Sequence, residues 1–250
     1  MEHNESEKTT EEKRKIKMKS IGIIGAMEVE ISGLKEKMED VKVSTKASVD
    51  FFEGTIYGKR VVVARSGIGK VNAALCTQIM ADVFGVDVVI NTGIAGSLNK
   101  EINIGDIVLS TDVLHHDMDA TGFGYSKGQI PQMKEFSFQA DKNLRTLAEK
   151  ICYQVNPDIH VYQGRIVSGD QFISDNRVKE EIIHNFGGFA VEMEGAAIGQ
   201  TAYLNRIPFL IIRAISDKAD GSASMDYPTF EAAAARHSLN LTLELIRCYE

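Results

Sequence analysis

The stretch GGFAVEMEGAAIGQTAYLNRIPFLIIRAIS, Gly187 to Ser216, reads as strand, helix, strand. Two glycines release the chain into the short apolar run around Val191. Small and apolar residues at helical spacing follow as far as Asn205. Pro208 then opens PFLIIRAIS, an apolar run too short for a helix and rich in β-branched side chains. A strand without alternation is buried on both faces, as happens in a sheet covered by helices on each side.

Outward from there the pattern repeats. IGIIGAM (21–27) leads into the helical spacing of EVEISGLKEKM (28–38), and FFEGTIYGKRVVVARSG (51–67) reads as a hairpin turning at Tyr57-Gly58-Lys59. KVNAALCTQIMADVF is helical and DVVINTG a buried strand. GDIVLSTDVL and HVYQGRIVSG are strands around the helix DKNLRTLAEKICYQV, VKEEIIHNF is a further helix, and PTFEAAAARHSLNLTLELIRCY is the last. Strands alternating with helices imply an α/β layered fold around a mixed, mostly buried sheet. No repeat and no linker interrupts residues 20–250, which are expected to form a single domain.

Composition agrees. The 250 residues are 44% hydrophobic and 25% charged, enough for a sizeable core, and 21 Gly with 4 Pro exclude collagen-like and low-complexity chains. A net charge of −7 excludes a protein whose main task is holding nucleic acid, which needs a basic face. No apolar run approaches the ~20 residues that span a bilayer. Cys76, Cys152 and Cys248 are odd in number and far apart, so neither a disulfide framework nor a zinc knuckle is expected. Residues 1–19 hold five acids and six bases but only Met1, Ile16 and Met18 as apolar side chains, and are expected to be a disordered charged tail. They contain no apolar signal-peptide core, so a cytoplasmic address is expected.

Two motifs invite functional readings and fail on chemistry. Gly67-Ile68-Gly69-Lys70-Val71 resembles the end of a phosphate-binding loop, but Ala64 stands where the first glycine belongs and Val71 replaces the magnesium-binding hydroxyl. It reads as a tight strand-to-helix turn. His115-His116-Asp117-Met118-Asp119 cannot converge on one ion, because neighbours on a strand face opposite ways.

The ionisable residues in apolar surroundings are more informative. Arg213 lies inside PFLIIRAIS, where a guanidinium is costly without a carboxylate partner, and Asp217 follows at the strand's carboxyl end. They form either a site or a structural ion pair. Glu192 and Glu194 flank Met193 where a strand becomes a helix. They are either binders of a cis-diol, which a carboxylate can grip with two hydrogen bonds, or solvated first-turn glutamates. Glu28 and Glu30 stand at another strand-to-helix junction, two apart, so at most one faces a pocket.

Seven segments, GIIGAMEVEI (22–31), SGIGKVNAA (66–74), NTGIAG (91–96), FGY (123–125), SGDQFI (168–173), AVEMEGAA (190–197) and RAISDKAD (213–220), occur in the order and spacing of bacterial 5′-methylthioadenosine/S-adenosylhomocysteine nucleosidases, which the chain resembles from about Ile21 to its end. The resemblance implies a purine nucleoside phosphorylase-like fold, a three-layer α/β/α sandwich around a central mixed sheet. It implies hydrolysis of the N-glycosidic bond of 5′-methylthioadenosine and S-adenosylhomocysteine, with 5′-deoxyadenosine a further substrate, in methionine salvage.

It also implies residue roles. Asp217 protonates adenine N7, with Ser216 orienting it, and Glu30 activates the attacking water. Phe172 stacks on the base, and the Ile173 backbone reads its edge. Glu194 binds the ribose hydroxyls and Met193 packs on the sugar. Arg213 is neutralised by Glu30 and Glu192, and Ala95 and Gly96 belong to the substrate-binding set. Phe51 and Tyr227 line the 5′ pocket, which Phe123 of a partner subunit closes, so a homodimer is implied. No metal or organic cofactor is expected.

The family usually has serine where this chain has Ile94. A purine nucleoside phosphorylase is the nearest rival reading, but related phosphorylases carry an arginine at the position of Asn91 and a phosphate-binding serine at that of Ile94, so hydrolysis is favoured. A 6-amino-futalosine hydrolase is another rival reading. A non-catalytic nucleoside-binding relative would have lost Asp217 or Glu30, and both are present.

Overall fold

The computed structural model describes residues 19–219 and 223–250. The expected tail, apart from Lys19, and Asp220 of the RAISDKAD motif lie outside the described residues.

β1 (Ser20–Gly25), β4 (Lys59–Arg65) and β5 (Val88–Ser97) run parallel, with β1 in the middle. Beyond β4, β3 (Val49–Ile56) and β2 (Glu39–Lys46) continue the sheet antiparallel. On the other side of β5, β10 (Phe209–Asp217) pairs parallel with it and antiparallel with β6 (Ile107–His115). β8 (Val161–Ser168) lies parallel to β6, and the short β9 (Ala190–Glu192) bridges β8 back to β5. The strands β5, β10, β6, β8 and β9 thus close into a ring, and β7 (Phe138–Gln139) adds to β6.

Among the described residues, six α-helices flank this mixed sheet: α1 (Glu28–Lys35), α2 (Lys70–Asp82), α3 (Lys142–Val155), α4 (Asn176–Phe186), α5 (Gly195–Asn205) and α6 (Ala223–Cys248). α2 packs with α5, whereas α1 and α3 pack with α6, giving helices on both sides. The α/β sandwich with a mixed sheet is therefore present, and the ring closure refines it.

Burial explains the strand assignments. β1, β5 and β10 are buried at every residue, so each Ile, Val or Leu on them contributes ~1.5–3 kcal/mol by leaving water. The expected hairpin is formed between β3 and β4, with Tyr57 (φ 50°) and Gly58 (φ 71°) both left-handed, the geometry of a type I′ turn. β2 has no counterpart in the sequence reading. It is an exposed edge whose charged side chains do not alternate against a core, and Val41 and Val43 face solvent.

The registers bring one row of residues together at the carboxyl ends of the strands. Asp217 lies opposite Gly96, Gly96 opposite Val191, and Glu192 opposite Ser168. An irregularity between Ile215 and Asp217 shifts the β10 register there, which is how a bulge re-aims the last side chain of a strand.

Candidate active site

That row borders a cavity of about 530 Å³. Its wall includes Glu30 and Met27 from the first strand-to-helix junction, Ile94, Ala95 and Gly96 from β5, and Met193 and Glu194 from the β9–α5 junction. Ser216, Asp217, Phe172 and Tyr227 complete it. Ile173 lies in a small adjoining cavity that shares Gly96, Phe172, Met193 and Asp217.

Glu30 is 5% exposed and held by backbone alone. One oxygen accepts from Ala26 N (2.7 Å) and Met27 N (2.9 Å), the other from Ile94 N (3.1 Å). The site needs Gly93 here, because a Cβ at that position would come within 2.5 Å of Glu30 Oε1 and 3.1 Å of Arg213 Nη1. Burial raises the Glu30 pKa above the usual carboxylate value, against the pull of Arg213 and the three amides. Glu28 points away to solvent and pairs with Lys35, so one of the two glutamates faces the cavity, as expected.

Arg213 is fully enclosed. Its Nη2 donates to Asn91 Oδ1 and to Glu192, and lies 3.8 Å from Glu194 Oε2. Asn91 is itself fixed by its amide, which donates to Ile24 O at 2.8 Å. Glu192 also accepts from Ser168 and from the backbone of Glu194 (3.1 Å) and Gly195 (2.7 Å). Burial alone would lower the Arg213 pKa, but Glu192, Glu194 and Glu30 outweigh it and hold the guanidinium charged. Three carboxylates thus surround one cation. Glu192 and Glu194 are both buried, which removes the reading of solvated first-turn glutamates.

Glu194 accepts from Gly69 N at 2.9 Å. Burial, then repulsion from Glu192, raises its pKa. Asp217 is 2% exposed, with Ser216 Oγ donating to Oδ2 (2.9 Å) and Ala219 N to Oδ1 (2.7 Å). A Cβ at Gly96 would sit 2.8 Å from Asp217 Oδ1, so glycine keeps this carboxyl accessible. Phe172 is half exposed and meets Tyr227 edge-on at 5.8 Å.

The residues expected from this chain therefore gather at or beside the cavity, with Phe51 the exception. Phe51 is fully buried in β3 and stacks on Phe84 at 5.0 Å, because its strand position faces the core and not the cavity. Phe123, expected to reach the cavity of a partner subunit, is 87% exposed in the short turn Thr121–Phe123. Conversely, Ala26, Met27, Ile68 and Val191 line this chain's cavity although the residues alone did not mark them. The His115–His116 pair is also resolved. His115 bonds Gln200 at 2.9 Å, His116 packs against Gly169, and burial lowers both pKa values.

Comparison with known proteins gives consistent matches. Residues 20–247 match the Phosphorylase superfamily. A 5′-methylthioadenosine/S-adenosylhomocysteine nucleosidase of Staphylococcus carnosus is 46% identical over 91% of this chain and 99% of its own. Among solved structures, the nucleosidase of that name from Neisseria meningitidis, in complex with methylthio-immucillin-A, superposes with a TM-score of 0.88 at 44% identity, covering 92% of this chain and 99% of that one. The Colwellia psychrerythraea nucleosidase, in complex with adenine, gives 0.88 at 40% identity, over 92% and 95% of the two chains.

Proposed function

The chain belongs to the Phosphorylase superfamily and, within it, to the 5′-methylthioadenosine/S-adenosylhomocysteine nucleosidases, and from that membership we propose how its cavity works. The reaction is hydrolysis of the N-glycosidic bond of these two nucleosides, releasing adenine and the 5-substituted ribose.

The observation that carries the mechanism is that Asp217 and Glu30, two enclosed carboxyl groups, border the same cavity. Asp217 gives its proton to adenine N7 as the C1′–N9 electron pair moves into the purine. Glu30, held by three amides, takes a proton from the water that attacks C1′. Solvent exchange returns both groups to their starting states. The developing ribosyl cation is favoured where carboxylates outnumber guanidinium, and the same field disfavours a phosphate dianion. Arg213 is spent on Asn91 and Glu192 and is not offered to an anion.

Glu194 grips the ribose hydroxyls and Met193 packs on the sugar. Phe172 stacks on adenine while the Ile173 backbone reads its edge. Tyr227, Met27 and Ile68 surround the 5′ substituent, and that apolar wall supports 5′-deoxyadenosine as a further substrate. A homodimer is supported by large apolar side chains left in solvent: Ile68 (52%) on the cavity wall, Val71 (78%) and Phe123 (87%). A cytoplasmic address is supported by three free cysteines.

The test is adenine release from 5′-methylthioadenosine, S-adenosylhomocysteine, 5′-deoxyadenosine and 6-amino-futalosine, with and without phosphate. Hydrolysis predicts phosphate-independent release of a free reducing sugar. A strict phosphate requirement, or a sugar 1-phosphate as product, contradicts it.

A further inference from the structure

The turn between β4 and α2 carries Ile68 to the cavity wall and Gly69 N–H to Glu194, and its own ties include Asn72 Nδ2 donating to Ile68 O at 2.7 Å. Gly67 (φ 84°) and Gly69 (φ 98°) both have positive φ, a region that glycine enters without steric strain. α2 has no side-chain cap of its own and no acid in its first turn.

The missing cap comes from far along the chain. Asp170 Oδ1 accepts from Lys70 N at 2.8 Å, and lies 3.1 Å from where a Gly69 Cβ would be. Asp117 completes the arrangement. Its Oδ1 accepts from Lys70 Nζ at 2.6 Å and its Oδ2 from Asp170 N at 3.0 Å. Asp117 therefore braces both the lysine and the loop that bears Asp170. The Lys70–Asp117 pair is 21% exposed on each side, so it is partly shielded from water. Against the effect of burial, Lys70 and the Asp170 amide hold the Asp117 carboxyl below its usual pKa.

We infer that Asp170, Lys70 and Asp117 form a clamp that positions Gly69 N–H against Glu194, making Asp170 a positioning residue for the ribose end of the substrate. The inference rests on the reading of Glu194 as the ribose-binding carboxylate. Asp170 touches no substrate. It acts by fixing the Gly69 N–H that donates to Glu194, and with it the Ile68 side chain.

The clamp makes a selective demand. Adenine alone has no ribose and does not use Glu194, so loosening the turn weakens the nucleoside and spares the free base. In Asp170→Ala, kcat/KM for 5′-methylthioadenosine falls about tenfold, the scale of a lost cap and a displaced charge-assisted bond. The inhibition constant of adenine stays unchanged. Asp170→Asn keeps an oxygen that accepts from Lys70 N and recovers most of the loss. Lys70→Met cuts only the brace, leaves the Asp170 cap in place, and gives the same selective loss at smaller size, which serves if Asp170→Ala does not fold. Parallel weakening of adenine, unchanged kcat/KM in both Asp170→Ala and Lys70→Met, or an Asn variant as poor as Ala, overturns the clamp. Glu194→Gln is the control: if it leaves the nucleoside-to-adenine ratio at the wild-type value, the ribose assignment of Glu194 is what has failed.

Discussion

Replacing Glu30 with glutamine separates the chemical role of the carboxylate from its structural one. The carboxylate accepts three backbone bonds, two on Oε2 and one on Oε1. Glutamine can keep its oxygen towards Ala26 and Met27, but its NH2 then faces Ile94 N–H, donor against donor. One buried amide is left unsatisfied, at a cost of ~1–3 kcal/mol. Burial already disfavours the charged form of Glu30, so removing that charge offsets part of the cost. The net loss of stability is expected at ~1–2 kcal/mol, within what the fold tolerates. On the proposed role of Glu30, catalysis suffers far more, because the attacking water loses its base. A general base is worth ~10²–10⁴-fold, so kcat drops by at least that range while nucleoside binding persists. Glu28→Gln is the internal control. Glu28 is solvent-exposed and pairs only with Lys35 among the described residues, so its loss leaves kcat unchanged and stability within ~0.5 kcal/mol. The assay is kcat and substrate affinity for both variants, beside urea unfolding. An active Glu30→Gln enzyme, or Glu28→Gln as the more damaging change, refutes the reasoning.

Other outcomes follow from the same geometry. Arg213→Met strips the counter-ion from Glu192, Glu194 and Glu30, and urea unfolding at neutral pH is expected to show a loss of ~3–5 kcal/mol that shrinks as acid neutralises Glu30 and Glu194. Glu194 has a raised folded-state pKa, so its contribution to stability is full below the unfolded value and is lost as pH rises through the folded one. Glu194→Gln therefore gains stability relative to the wild type as unfolding is measured from about pH 5 to pH 9. Deleting residues 2–18 is expected to leave melting temperature and turnover unchanged, since that segment has almost no apolar side chains to dock.

The sequence disclosed whatever violated its local surroundings. Arg213 inside an apolar strand demanded a carboxylate, and Glu192 and Glu194 surround it. Asp217 at a strand end marked the cavity, because ligands meet a sheet where its strands stop. Residues that obey local rules were silent. Ile68 and Met27 are ordinary apolar side chains, and only the fold tells a cavity wall from a core. Phe51 shows the converse error, since an aromatic beside a site can belong to the core, as its stacking on Phe84 does. The turn at Gly67–Lys70 was legible as a turn, but its bond to Glu194 spans 125 positions, which no local pattern conveys. The ring of β5, β10, β6, β8 and β9 was hidden for the same reason. β9 has three residues, and closure depends on pairings between distant segments.

The central claim is that Asp217 drives the reaction by protonating the purine as it leaves. Its sharpest test uses two leaving groups, adenine in 5′-methylthioadenosine and 4-nitrophenolate in the corresponding 4-nitrophenyl 5-methylthioriboside, which departs without a proton. Turnover of both by wild type and Asp217→Asn should show adenine release falling by ~10²–10⁴-fold while nitrophenolate release falls much less. Equal losses on the two substrates, or an Asp217→Asn enzyme that still releases adenine at the wild-type rate, would contradict the account.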